Sequence, residues 1–314
     1  MGEKPAGETR PKAAKRRTLA ILSRKKSLYS TRRLLEAAKA RGLATKVIDV
    51  LRCSLSLDAG LPRLFVDGEP LKRPDLALPR IGASVTTHGL HVVRQLEAQG
   101  VLMVNGSAAI EQSRDKLRAL QKLATANVGI PRTVLARGGT HLEALVLQVG
   151  GLPAILKMLR GTQGVGVMIA HSFAEVESIL GTLWDLGQEI LLQEFIAEAR
   201  GSDLRALVVG ERVVGAMRRE AKKGEFRANL HRGGAGRSVE LDPEVSALAV
   251  RAARVLGLEV AGVDMLESRT GHKVLEVNSS PGFEGLEAAT GVDVAGAIID
   301  RALALDGKQG SSGA

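Results

Sequence analysis

Cysteine, tryptophan and tyrosine occur once each in the 314 residues, and aromatic residues make up only 2%. A single Cys53 excludes an internal disulfide framework and a cysteine-built zinc site. It is expected to be a small packed hydrophobe in a reducing cytoplasm. So few aromatic rings leave single-stranded nucleic acid little to stack on, and no direct nucleic-acid binding is expected. No apolar run approaches the roughly 18 residues of a membrane span, and the charged N-terminus lacks the apolar core of a secretory signal. No Ser-His-Asp or Cys-His arrangement and no internal repeat stands out. Prolines number 10 against 36 glycines, with 45% hydrophobic residues. That balance excludes a disordered chain and leaves ample length for one large or two or three small domains.

Positive charge is in surplus, at a net +10. Lys4, Arg10, Lys12, Lys15, Arg16 and Arg17 against Glu3 and Glu8 give residues 1–17 a net +4, the composition of a disordered basic arm. The surplus suits acidic partners such as nucleotides, carboxylates or a ribosome; plain solubility of an Arg-rich surface is the other reading.

Residue patterning places strands at 18–23 and 46–50 around a helix at 31–41. This is the order of a parallel sheet with a right-handed crossover. A short hairpin is read at 64–68, and 76–79 lead into Arg80-Ile81-Gly82 at a strand's C-terminal end, where open α/β sheets bind ligands. A helix at 87–99 and a strand at 101–104 complete an α/β domain over 18–104. The second part, 105–305, opens with a helix at 115–126, for which Ser113 or Asp115 is a fitting N-cap. A strand at 132–136, a helix at 141–149, strands at 154–157 and 165–170, and a helix at 173–184 follow. Next come a strand at 189–196, a hairpin of 203–209 with 212–218, a long basic loop at 220–237 and a helix at 243–256. A hairpin at 260–282 and a helix to about 305 close the fold, and 306–314 reads as a flexible tail.

The closing hairpin carries chemistry. With its turn centred near Thr270, Asp264 lies across from Glu276 on one face and Asn278 shares that face, while Leu275 and Val277 occupy the other. Two carboxylates so close repel and need a compensating cation; Mg²⁺ typically uses one or two carboxylates plus substrate phosphates. An ordinary polar hairpin face is the alternative. The Asn278-Ser279-Ser280-Pro281-Gly282 turn, built to bring backbone close to something, favours a metal site.

A second stretch runs from Lys157 through Gly161, Gly164 and Gly166. These glycines let backbone N–H groups approach phosphate, but the spacing fits neither a P-loop nor a dinucleotide fingerprint. Alone it is a plain turn; Lys157 at the end of an apolar strand argues otherwise, because a lysine there needs an anion. The strand at 191–196 is expected to offer free backbone to an adenine edge. Asp203 and Arg205 share a face, Asp203 suited to a ribose or an amine and Arg205 to a phosphate, with a surface salt pair as the other reading.

These stretches, with Ala20-Ile21-Leu22-Ser23-Arg24, Pro79-Arg80-Ile81-Gly82, Arg114-Asp115-Lys116, Gln193-Glu194-Phe195-Ile196, Arg227-Ala228-Asn229-Leu230-His231-Arg232-Gly233-Gly234 and Gly282-Phe283-Glu284-Gly285-Leu286-Glu287, carry a family resemblance. Over about 18–305 the chain resembles the ATP-grasp ligases, specifically the RimK type, which adds glutamate to the C-terminus of a small-subunit ribosomal protein. The resemblance implies an ATP-grasp fold, α/β and α+β, with an N-terminal preATP-grasp domain. A small lobe at about 115–190 and a large lobe at about 191–305 would hold ATP between them. It implies ATP contacts from Lys116, Lys157, Gly161, Gly164, Gly166, Glu194, Phe195, Asp203, Arg227, Ala228 and Asn229. It also implies two Mg²⁺ or Mn²⁺ ions on Asp264, Glu276 and Asn278, and catalytic roles for Arg227, Lys157 and Arg205. The acceptor is expected near Tyr29, Arg80, Ser280 and Gly282. The partners implied are ATP, L-glutamate and a ribosomal-protein tail in a cytoplasmic, homo-oligomeric enzyme without membrane contact. A related ligase acting on a small-molecule cofactor or an amino-group carrier protein is the alternative. An ATP-switched ribosome- or RNA-binding protein is the alternative from another class.

Overall fold

The computed structural model describes residues 16–60, 62–137, 141–159, 166–199, 201–222 and 235–311. Most of the basic arm lies outside them. Of its end, Arg16 Nη2 donates to the Leu43 carbonyl at 3.2 Å and Arg17 pairs with Asp306 at 2.5 Å.

The first domain runs β1 (Thr18–Leu22), α1 (Tyr29–Ala40), β2 (Ala44–Ile48), β3 (Cys53–Ser56), β4 (Arg63–Val66), β5 (Glu69–Pro70), β6 (Leu76–Pro79), α2 (Thr86–Ala98) and β7 (Leu102–Met103). The order β2-β1-β6-β7 is parallel throughout. Parallel strands are covered on both faces, so they read as nearly continuous apolar runs, as in the buried Leu76–Pro79. Leu34, Ala37 and Ala38 of α1 and Val92, Val93 and Leu96 of α2 join cores that also hold the strands. The expected hairpin at 64–68 is present as β4–β5, and β3 extends it to a separate antiparallel sheet.

Next come α3 (Ser107–Arg114), α4 (Lys116–Thr125), β8 (Thr133–Ala136), α5 (Leu142–Gln148), β9 (Ala154–Met158), β10 (Val167–Ala170), α6 (Phe173–Asp185) and β11 (Ile190–Glu194). Then follow β12 (Ser202–Val209), β13 (Arg212–Glu220), β14 (Ala235–Ser238), α7 (Pro243–Val255), β15 (Val260–Ser268), β16 (Gly271–Asn278), α8 (Glu284–Thr290) and α9 (Val294–Ser311). Of the two N-cap candidates it is Asp115 that caps α4, accepting from Arg118 N at 3.0 Å. One antiparallel sheet, β10-β9-β11-β8, shares a core with α5 and α6. The other, β14-β13-β12-β15-β16, packs on α7. β14 lies at the end of the stretch read as a loop over 220–237. Its Ala-Gly-Arg-Ser sequence has no strand preference of its own, and pairing with β13 supplies the structure. The last helix continues to Ser311, into the segment read as a tail.

The first domain does not hang on a linker. One core holds Leu19 and Ile21 of β1, Leu34 of α1, Val209 and Met217 of the large sheet, Phe283, and Ile298 of α9. Beside it, Asn105 is 2% exposed and works as a four-way polar joint. Its Nδ2 donates to the carbonyls of Val260 (2.7 Å) and Ser279 (2.9 Å). Its Oδ1 accepts from the N–H groups of Glu259 (2.7 Å) and Val260 (2.9 Å). The segment leaving the first domain is thereby stitched to the start of β15 and to the turn after β16. Asn105→Ala strands these buried backbone groups and is expected to cost about 3 kcal/mol. The check is a lower urea midpoint at unchanged slope; an unaltered midpoint would show that the joint does not depend on this amide.

Candidate active site

The hairpin reaches its facing carboxylates by a device not visible in the strand alternation. Its two-residue turn, Arg269-Thr270, pairs Ser268 with Gly271 and Met265 with Val274. Continued regularly, that register would set Leu275 opposite Asp264. A β-bulge intervenes, and beyond it Asp264 pairs with Glu276 and Gly262 with Asn278. Bulges of this kind re-aim side chains beside functional sites. Gly262 is needed for a second reason: a Cβ there would stand 2.8 Å from Pro281 Cβ. Without a side chain, the Ser279–Gly282 turn folds down against β15.

Asp264 is 4% exposed and its charge is held by two arginines. Arg205, its cross-strand partner on β12, donates through Nε at 2.7 Å and Nη2 at 2.6 Å. Arg219 Nη2 lies 3.1 Å away. Burial alone would raise the pKa of Asp264; Arg205 and Arg219 outweigh it and hold the carboxyl below its usual range. Arg219 also grips Asp203, at 2.6 Å through both Nε and Nη2. Asp203 and Arg205 therefore do share a face, but neither is a free surface group, and they pair with other residues instead of with each other.

Glu276 differs. It makes no ion pair with any described residue, and crowding by protein, then by Asp264, raises its pKa; Lys116, Lys157 and Arg205 pull the other way. An acid on solvent-facing ground, beside a second carboxylate and an amide, is a donor set of hard oxygens that fits a divalent cation. Among the described residues no histidine, cysteine or third carboxylate completes a cage.

The lysines come from α4 and β9. Lys157 lies in β9 across from Val167, and its Nζ donates to Gln193 Oε1 at 2.5 Å. Gln193 in turn donates to Thr133 Oγ1 at 2.9 Å, which donates to the Pro131 carbonyl at 2.8 Å. Burial pushes Lys157 down to about 8 and neighbouring Lys116 adds to this, against Glu276. Lys116 Nζ donates to the Met158 carbonyl at 3.1 Å and is lowered by burial too. At the near end of the glycine loop, Gly166 has φ +76° and lies against Met158; its carbonyl accepts from Met158 N at 2.9 Å. Gly161, Gly164, Arg227, Ala228 and Asn229 lie outside the described residues.

The expectation of a strand with free backbone at 191–196 needs correction. β11 is interior, paired with β9 on one side and β8 on the other, and the pairing ends at Glu194. Free backbone begins only at Phe195. The Glu194 carboxylate accepts from Lys273 at 2.7 Å and from Arg132 N at 3.0 Å. Burial works against its charge, but these bonds prevail and its pKa is lowered.

The four acceptor candidates converge on one turn. Ser280 Oγ donates to the Pro79 carbonyl at 3.3 Å, and Arg80 Nη2 to the Pro281 carbonyl at 2.6 Å, next to Gly282. The Tyr29 and Phe283 rings meet edge to face at 6.1 Å. The Tyr29 hydroxyl is committed to Glu287 at 2.7 Å, tying α1 to α8. Sequence reasoning named Gln193 and Arg114 only inside family motifs, with no role of their own, and missed Arg219. Gln193 had a signal, a lone amide in an apolar strand; Arg219 had one only through its cross-strand position opposite Asp203.

A family model described as the RimK-like ATP-grasp domain matches residues 113–302, and one described as the RimK PreATP-grasp domain matches 18–110. A protein of Pseudoalteromonas translucida named probable alpha-L-glutamate ligase is 51% identical over 282 residues, covering 90% of this chain and 94% of that one. A RimK-domain ATP-grasp protein of Sphaerobacter thermophilus superposes with a TM-score of 0.69 at 26% identity, over 91% of this chain and 99% of that one. The ATP-grasp ligase PsnB, solved with a minimal precursor, Mg and ADP, gives 0.70 at 22% identity, over 92% and 98%.

The depressed pKa of Lys157 has a sign that can be tested. Below pH 8 the lysine is charged in folded and unfolded chains alike. Between about 8 and 10.5 the unfolded chain keeps a proton that the folded one has shed, so stability rises with pH. Lys157→Met removes this rise. Its stability relative to the parent is expected to fall, from pH 7 to pH 10.5, by on the order of 3 kcal/mol. Urea midpoints across that range would show it; a difference independent of pH contradicts the placement.

Proposed function

Because the chain belongs to the RimK-like ATP-grasp family, we propose that it is an ATP-dependent ligase joining L-glutamate to the C-terminal carboxylate of a small-subunit ribosomal protein. The observation that carries this reading is the convergence of Lys116 of α4 and Lys157 of β9 on Glu276, whose charge both favour. A relative at 51% identity named for glutamate ligation supports the amine. Neighbours solved with precursor peptides support a polypeptide acceptor.

In this reading Lys116 and Lys157 hold the ATP phosphates, with the backbone of Gly161, Gly164 and Gly166 closing over them. Gln193 keeps the Lys157 ammonium aimed. Glu194 and the free Phe195 backbone face the adenine, and Asp203 acts on the ribose side through Arg219. Asp264, Glu276 and Asn278 would hold two divalent cations, Mg²⁺ or Mn²⁺, which when bound neutralise charge on the bridging phosphates. Arg205 keeps Asp264 in place and lends positive charge beside the transferring group; Arg227, Ala228 and Asn229 belong to the loop that would cover it.

An oxygen of the acceptor carboxylate attacks the γ-phosphorus, the bond to the bridging oxygen breaks, and ADP leaves an acyl phosphate. The glutamate amine then attacks the acyl carbon, the bond from carbon to the phosphate oxygen breaks, and the amine proton leaves with phosphate. No side-chain nucleophile is needed. Positioning and charge carry the catalysis, as is general for phosphoryl transfer.

The direct test incubates the protein with ATP, Mg²⁺, glutamate and ribosomal proteins and looks by mass spectrometry for added glutamyl units. Their appearance on a protein outside the small subunit would replace the acceptor, and their absence everywhere would remove the activity. Glu276→Gln is the cleaner probe of the cation site, because removing Asp264 would leave the half-buried Arg205 without its partner. ADP release is expected to fall at least about 100-fold, with a thermal midpoint equal to or above the parent's because a crowded charge has gone. Undiminished release would refute the ligand assignment.

A further inference from the structure

Arg80 and Arg114 are two neighbouring, half-buried guanidinium groups whose Nε atoms are fully buried. Arg80 follows β6; its Nη2 donates to the Pro281 carbonyl at 2.6 Å, and its guanidinium lies 5.7 Å over the Phe283 ring. Arg114 ends α3 and donates through Nη2 to the Ile81 carbonyl at 2.6 Å, one residue beyond Arg80. Neither makes an ion pair with a described residue. A fork suited to a carboxylate thus rests, in each case, on one neutral carbonyl.

Buried polar groups are almost always paired. Of the four buried side-chain polar atoms that lack a hydrogen-bond partner among the described residues, three are Arg80 Nε, Arg114 Nε and Ser279 Oγ. All three belong to the junction where the segment after β6, the end of α3 and the turn after β16 meet. Arg80 and Ser279 line one small cavity there, with Pro79 and Asn105. Burial, and then the charge of Arg114, pushes Arg80 down to about 10, so both groups remain charged at neutral pH and repel. Among the described residues the acid whose charge favours that of Arg114 is Glu276. The pair therefore flanks the candidate cation site from the first-domain side, while the two lysines face that site from elsewhere.

We propose that Arg80 and Arg114 together form a carboxylate-binding fork that fixes a substrate carboxylate beside the site of phosphoryl transfer. This rests on the ligase reading, and the carboxylate belongs either to the incoming amino acid or to the acceptor terminus. Phe283 backs Arg80, and the carbonyls of Ile81 and Pro281 each hold one guanidinium edge, so the fork is set before the anion arrives.

The test uses the full chain with a non-hydrolysable ATP analogue and Mg²⁺, titrating L-glutamate, glutarate and an acidic-tailed peptide. Wild type, Arg114→Gln, Arg114→Lys and Arg80→Lys are followed by thermal midpoint and by steady-state kinetics. One carboxylate is expected to stabilise the wild type, and each variant to need at least tenfold more of it. Its KM is expected to rise at least tenfold while the KM for ATP stays unchanged. A rise confined to glutamate places the fork at the amino acid, and one confined to the peptide places it at the acceptor. A change only in the KM for ATP, or in none, overturns the proposal. Midpoints without ligand report folding, and Arg114→Lys, which keeps the charge but not the fork, separates the two. Should the wild type form no amide at all, the ligase reading fails, while loss of carboxylate stabilisation in Arg114→Gln would still support an anion fork.

Discussion

A carboxylate buried within a sheet must be neutralised, and one face of the five-stranded sheet is organised around neutralising Asp264. Arg205 meets it from the adjacent strand with two hydrogen bonds, and Arg219 reaches it from one strand further while also holding Asp203. Breaking such a network by removing one member typically costs about 3–5 kcal/mol, because the remaining charges stay buried and unpaired. The cluster therefore fixes the registry of β12, β13 and β15 along the face that carries the candidate chemistry. Glu276 is left out of this arrangement. The imbalance between a neutralised Asp264 and an unpaired Glu276 makes the hairpin face receptive to a cation.

The same face depends on parts of the chain far away in sequence. Asn105 joins the exit of the first domain to β15 and to Ser279. Arg80 and Ser280 cross-link the end of β6 to the turn after β16. Tyr29 and Arg33 of α1 both reach Glu287 of α8. The first domain is thus tied directly to the hairpin that carries Asp264 and Glu276. Part of the surplus positive charge, which from composition alone suits either solubility or acidic partners, lies here: Arg114, Lys116 and Lys157 feel Glu276, and Arg80 stands beside Arg114.

The hairpin was legible because strand alternation and turn chemistry are local. Yet the facing of Asp264 and Glu276 needed both a two-residue turn and a bulge, and the two shifts together restore the pairing that a turn centred on Thr270 would have produced. β11 misled for the opposite reason. Its apolar sequence looks alike at a sheet edge and in a sheet interior, and only the strand order decides which backbone is free. The Ala235–Ser238 strand has no signal of its own. Gln193 and Arg219 matter through cross-strand neighbours, which no spacing along one segment reveals.

The chain by itself determined its parallel first domain, its two glycine- and carboxylate-bearing hairpins and its family, since each is written in short-range patterns and ordered motifs. Tertiary structure alone decided which charges meet. It paired Arg205 with Asp264 rather than Asp203 and, among the described residues, left Glu276 without an ion pair and brought Arg80 and Arg114 together without an acid. Those outcomes depend on register, on a bulge and on the packing of three separate segments, and electrostatics at a few ångströms is sensitive to all three.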